Sequence, residues 1–185
     1  MNRHRFPARM PPILVGISKN IRLSAPSYIG RQHYFVTLCS FHRKKTLVDA
    51  RRASWLVEVL RNVCATRNFA VHAYCLMPDH FHLLAEGLEP TSDLLNLVKT
   101  FKLKTSRTYF SQTSQNLWQH KFYDHILRPN ESPESVAWYI WQNPVRRGLC
   151  ATPQEYSFSG AFTSRIPRTH QPTNSWLPPW SEPPL

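Results

Sequence analysis

The sequence predicts an α+β domain: an antiparallel β-sheet flanked by helices. Three observations carry this. Short β-rich runs alternate with longer segments of helical periodicity. Two of the runs, residues 70–77 and 80–87, are separated only by Pro78-Asp79, the spacing of a hairpin. With 185 residues, 42% of them hydrophobic, the chain is long enough to bury a core.

The elements follow in order. Residues 1–27 form a basic, proline-interrupted lead-in, read as an irregular arm. "HYFVTLCS" (33–40) alternates and is rich in β-formers, so it is a strand. From Ala50 to Arg67 the residues Trp55, Leu56, Val59, Leu60 and Val63 recur at helical spacing. "AVHAYCLM" (70–77) and "HFHLLAEG" (80–87) are the hairpin strands. Thr91 or Ser92 caps a helix through 93–110. "LWQHKFYDHILR" (117–128) reads as a turn and a short strand, with an ambiguous period. Ser132 caps a further helix, Pro133 occupies its first position, and Pro144 stops it. The stretch 165–185 holds six prolines and little periodicity, so a disordered or surface-draped tail is expected. The division is thus an arm over 1–27, a core domain over 28–160 and a tail over 161–185.

The formal net charge is +12, and no Asp or Glu occurs before Asp49. Such a balance favours polyanionic partners. Arg43, Lys44, Lys45, Lys99, Lys102, Lys104, Arg107, Arg128, Arg146 and Arg147 are candidates to meet nucleic-acid phosphates. Trp118, Trp138 and Trp141 are assigned to core packing ahead of base stacking. The four cysteines show no CxxC or zinc-finger spacing, which points to free thiols in a reducing, cytoplasmic setting. No apolar run approaches the ~20 residues that span a bilayer.

"MPDHFHLL" (77–84) is the stretch that carries chemistry. Residues i and i+2 of a strand share a face, so His80 and His82 point the same way and Phe81 points into a core. Two imidazoles on a rigid strand can grip one divalent ion, although an isolated His-x-His is a weak signal. A third ligand is available downstream. Tyr139 and Asn143 stand four residues apart on one helical face. The Asn143 carbonyl oxygen suits Mg²⁺ or Mn²⁺ beside the histidines, leaving Tyr139 one turn away as a nucleophile. The position before Pro144 disfavours helical angles, so Asn143 is alternatively a helix cap, with Gln142 as the reserve ligand. Tyr123, next to Asp124 and His125, is a competing nucleophile by composition alone. It lacks a helical partner near the histidines and is read as structural or as part of a DNA groove.

"AYCLMPDHFHLL", "LWQHKFYDHILR" and "YIWQNPVRRGL", in that order, resemble the REP-associated tyrosine transposases, a branch of the single-tyrosine HUH transposase-like proteins. The resemblance covers residues 28–160. It implies the HUH-endonuclease fold, ferredoxin/RRM-like, in a bacterial protein of the nucleoid. It implies a metal-dependent endonuclease and strand transferase for single-stranded DNA at REP-like hairpins, working as a monomer or homodimer. It places metal ligation on His80, His82 and Asn143, with Mg²⁺ or Mn²⁺, and the nucleophile on Tyr139. Three other readings stand beside it. One is a domesticated protein that binds structured single-stranded DNA without cutting it. Another is a phosphodiesterase using activated water. The last is an RNA-binding sheet module.

Overall fold

The structure, a computed structural model, describes residues 24–169 and 171–179. The basic arm expected over 1–27 therefore lies almost entirely outside the described residues. The sheet is built from β1 (His33–Cys39), β2 (Phe69–Leu76), β3 (His80–Gly87), β4 (Tyr123–Ile126) and β5 (Ser159–Gly160). Its order is β4-β1-β3-β2-β5, and each pairing is antiparallel. The Pro78-Asp79 hairpin forms as expected. The ambiguous stretch at 117–128 resolves into a bridge from Trp118 to Ser40 followed by β4.

Helices cover both faces. On one face, α1 (Ala50–Thr66) and α2 (Leu94–Thr113) bury Leu56, Leu60, Val63, Leu97, Val98 and Phe101 against Val36, Leu38, Phe81, Leu83 and Ala85. On the other face, α3 (Pro133–Trp141) buries Val136, Ala137, Ile140 and Trp141 against Phe35, Ala73, Cys75 and Leu84. The short turn α4 (Asn143–Arg146) follows after Gln142. The alternation of β3 is therefore obeyed, but the histidine face is covered too. His80 is only 5% and His82 only 7% exposed.

Caps explain the helix starts. Asp49 accepts from the Arg52 amide in α1, and Ser132 accepts from the Ser135 amide in α3, with Pro133 in its first turn. In α2 the cap differs from the expected Thr91 or Ser92: Asp93 accepts from the Asn96 amide at 3.0 Å. Ser92 is occupied elsewhere, donating to the Asn68 carbonyl and accepting from the Glu89 amide. The α2 helix also runs to Thr113 rather than Phe110, ending at Ser114 in a left-handed conformation (φ 54°).

Among the described residues, the chain beyond Gly160 adds no helix or strand; Phe162 packs against the first core, and Ile166 and Trp176 reach the α3 side of the sheet. Ile166 and Trp176 of this stretch are buried in the second core, which its proline content did not foretell. Trp118 and Trp141 are core residues, as assigned. All four cysteines are free thiols, and burial raises those of Cys39, Cys64 and Cys75. No helix among the described residues is long and apolar enough to cross a membrane.

Candidate active site

Antiparallel register places Thr37 opposite His82 and Cys39 opposite His80. The two imidazoles stand edge to face with centroids 4.5 Å apart. Each ring is anchored through Nδ1. His82 Nδ1 meets the Thr37 hydroxyl at 2.8 Å, and His80 Nδ1 meets Asp79 Oδ1 at 2.6 Å. With Nδ1 engaged, Nε2 is the remaining ligand atom on each ring.

The next elements to arrive are α3 and α4. Asn143 opens α4, so the proline that follows it does not exclude it from a helical turn; it begins one instead. Its amide nitrogen donates to the Tyr139 carbonyl at 2.9 Å and the Ile140 carbonyl at 3.2 Å. That fixes the amide orientation and leaves Oδ1 free of those bonds, and the Asn143 side chain is close enough to His82 to oppose slightly the lowering of its pKa. Asn143 thus both closes the end of α3 and presents an oxygen. Gln142, the reserve candidate, is the C-cap of α3.

Tyr139 projects from α3 to the same place. Its ring lies 6.3 Å from that of His82 and 5.9 Å from that of Phe35, centroid to centroid. The Arg146 guanidinium sits over the Tyr139 ring at 4.2 Å and donates to the Tyr139 carbonyl at 2.9 Å. Trp176 packs edge-on to the same ring at 5.3 Å and donates through Nε1 to Glu131 at 2.8 Å.

Electrostatics keep both imidazoles neutral near pH 7. Burial lowers the pKa of His82 well below the ordinary value, reinforced by His80, Arg146 and Arg43. Burial also lowers that of His80, and the Asp79 carboxylate only partly opposes it. Burial pushes Asp79 upward, but its hydrogen bond to His80 and the charges of His80, Arg43 and Arg147 prevail and hold it low. Two neutral imidazole nitrogens and an amide oxygen form a donor set of the kind that holds a divalent ion.

The structure separates the ten basic candidates. Arg43 lies 3.6 Å from Asp79, and Arg43 and Arg147 both act on Asp79 and His80, so they border the site; Lys44 and Lys45 follow Arg43 in the chain and are exposed. Arg146 touches Tyr139 directly. Arg128 is exposed just past β4. Lys99, Lys104 and Arg107 are exposed on α2, across the sheet from Tyr139; two of them line a shallow groove with Trp55 and Val59. They do not share the histidine surface. Lys102 departs furthest from expectation: its ammonium donates to the Gln119 and His120 carbonyls at 2.7 and 2.8 Å, pinning the loop before β4.

Tyr123 lies on edge strand β4, paired with Thr37 in the ladder, and its neighbour His125 is held by Glu131 at 2.7 Å. Sequence reasoning overlooked Thr37, the second role of Asp79 and Trp176. Asp79 had a signal, its adjacency to His80. Thr37 had none without the register, and Trp176 lay in a stretch whose prolines argued against packing.

A helix-borne tyrosine and asparagine set over a strand-borne histidine pair, on a five-stranded antiparallel sheet, define an enzyme of the HUH single-tyrosine transposase type. The chain belongs to the IS200-like transposase family, whose model matches residues 29–143. It is 27% identical over 143 residues to a putative REP-associated tyrosine transposase of Haemophilus influenzae, covering 70% of this chain and 79% of the relative. It is 24% identical over 132 residues to the REP-associated tyrosine transposase of Escherichia coli, covering 71% and 78%. Its fold matches a solved REP-associated tyrosine transposase bound to a REP hairpin, with a TM-score of 0.61 at 23% identity, over 71% of this chain and 78% of the other.

Proposed function

We propose that this protein cleaves and rejoins single-stranded DNA beside a hairpin through a 5′-phosphotyrosine on Tyr139. The observation that carries the reading is convergence: His80 and His82 from β3, and Tyr139 and Asn143 from α3 and α4, meet on one face of the sheet. Tyr139 Oη attacks a backbone phosphorus, the Tyr–O–P bond forms, and the bond to the 3′-oxygen breaks. That oxygen leaves as a 3′-hydroxyl, taking up a proton in exchange for the one the phenol gives up. The phosphodiester energy is retained in the adduct, so a 3′-hydroxyl can reverse the step without ATP.

His80 Nε2, His82 Nε2 and Asn143 Oδ1 would hold Mg²⁺ or Mn²⁺. When bound, such an ion polarises the scissile phosphate and stabilises charge on its oxygens. Thr37 and Asp79 orient the imidazoles, and Arg146 and Phe35 hold the phenol ring in place, which supplies the positioning that an in-line attack needs. Arg43 and Arg147 border the site beside Asp79, the exposed Lys44 and Lys45 follow Arg43 in the chain, and together they suit an approaching phosphate backbone. The relatives support a REP-like hairpin as substrate.

The test is incubation of the protein with labelled single-stranded DNA carrying a genomic hairpin, with Mn²⁺ or Mg²⁺, followed by a denaturing gel. A covalent protein–DNA band, lost in Tyr139→Phe and in His80→Ala, is expected. Cleavage without an adduct that survives Tyr139→Phe would establish attack by water instead. Retardation without cleavage would mark a binding protein.

A further inference from the structure

A second cluster of metal-ligating side chains lies at the other end of the same sheet. His33 of β1 pairs across the ladder with Glu86 of β3. The register of β2 against β3 shifts between Val71 and Ala73, and the bulged residue is His72. A bulge re-aims a side chain, and here it brings the His72 ring to the same carboxylate. His72 Nε2 is 2.8 Å and His33 Nε2 4.0 Å from Glu86 Oε2, and the three donor atoms lie within 4.8 Å of one another. Four residues of strand, about 13 Å, separate Glu86 from His82, so this cluster is distinct from the one beside Tyr139.

We propose that His33, His72 and Glu86 form a second metal site, selective for a borderline ion such as Zn²⁺. Two imidazoles and one carboxylate are a donor set this ion takes, with bonds of ~2.0–2.2 Å. Those lengths set ligand atoms of a tetrahedral ion roughly 3.3 Å apart, between the two spacings seen. Binding needs Glu86 to back away slightly from His72 and the half-buried His33 ring to swing inward. The three ligands come from adjacent strands of one sheet, which gives the site a rigid base. The outer contacts are also in place. His72 is 2% exposed, and its Nδ1 meets the Thr163 hydroxyl at 2.9 Å, the kind of bond that orients a ligating imidazole. Glu134, at the start of α3, is felt by both histidines and adds negative charge.

Arg165 is the competitor. Its Nη1 lies 2.9 Å from Glu86 Oε2, but its side chain is 65% exposed and attached to the C-terminal segment. An exposed pair of this sort is weak and easily displaced. The ion would exchange with that guanidinium.

The experiment uses the untagged full chain carrying His80→Ala and His82→Ala, which removes the other imidazole pair. This protein is titrated with Co²⁺, followed by the intense visible absorption of tetrahedral cobalt, and then with Zn²⁺ to displace it. One equivalent is expected. His33→Gln and Glu86→Gln, conservative in volume and partly exposed, should each weaken binding at least tenfold. Arg165→Ala, which frees the carboxylate, should tighten it. Circular dichroism checks that each variant is folded, so that lost binding cannot be ascribed to unfolding. Absence of tetrahedral cobalt in the double variant would overturn the proposal and leave a hydrogen-bonded His72–Glu86 pair. Binding indifferent to both glutamine substitutions would overturn it equally. Neither result bears on Tyr139, because the site beside it has been removed.

Discussion

Thr37 Oγ1 lies 2.8 Å from His82 Nδ1, and this contact sets which nitrogen of His82 faces Tyr139 and Asn143. The two residues are direct cross-strand partners, so the contact is a product of sheet register. Thr37→Val keeps the shape and removes the hydroxyl. We expect metal affinity to fall roughly 10–100-fold, the usual cost of losing such an orienting contact. Raised Mn²⁺ should restore adduct formation, and Thr37→Ser should behave as wild type. Adduct yield against Mn²⁺ concentration measures this; an unchanged midpoint in Thr37→Val would show the hydroxyl to be idle.

Asp79 plays the matching part for His80, at 2.6 Å. Asp79→Asn keeps an acceptor but removes the charge. It should weaken metal binding, again by about 10-fold or more, without loss of fold. Calorimetric titration with Mn²⁺ reads the affinity, and the thermal midpoint reads the fold.

The buried imidazoles also tie stability to pH. The folded-state pKa values of His80 and His82 lie below the ordinary 6.5. Below about pH 6.5 the unfolded chain therefore binds protons that the folded chain refuses, and stability declines as pH falls toward the folded values. Asp79, whose pKa is lowered from 3.8, loses its contribution only at still lower pH. Metal-free protein should unfold at lower denaturant at pH 5.5 than at pH 7.5, and His82→Gln should flatten that slope. Equal midpoints in the two buffers would contradict the burial of neutral imidazoles.

Lys102 is expected to separate from the other basic residues. Lys102→Met removes two hydrogen bonds to the loop before β4 and should cost about 1–3 kcal/mol of stability. It should leave the salt dependence of DNA binding unchanged. Arg43→Ala and Arg147→Ala should do the reverse, each lowering the slope of log affinity against log salt by about one. Salt titrations of binding to a hairpin, run beside urea melts, distinguish the two groups.

Trp176 is half of a second anchoring arrangement. It packs against Phe35 and Tyr139, and its indole donates to Glu131, which also holds His125. Trp176→Ala should cost about 3 kcal/mol, the low end for removing a buried tryptophan. Trp176→Phe should recover most of that. Denaturant midpoints of the three proteins test it.

These contacts show where sequence reading succeeds and where it stops. The alternation of β3 and the capping signals at Ser132 are local patterns, and each survived folding because the local geometry carries the information. The single helix expected to carry both Tyr139 and Asn143 to Pro144 instead ends at Trp141, and Asn143 opens the turn α4. Thr37 was invisible because its meaning depends on register with a strand more than forty residues away. Trp176 was misjudged because prolines bar regular structure but do not bar burial. Lys102 and Arg43 looked alike as charges. Only their neighbours, two carbonyls for one and Asp79 for the other, tell them apart.

Tyr139 is expected to become covalently joined to DNA. The direct measurement is peptide mapping by mass spectrometry after cleavage of a hairpin substrate. A nucleotide 5′-phosphate attached to the peptide that contains Tyr139 is the predicted result. Its attachment to the peptide containing Tyr123, or a free 5′-phosphate with no modified peptide, would contradict the account.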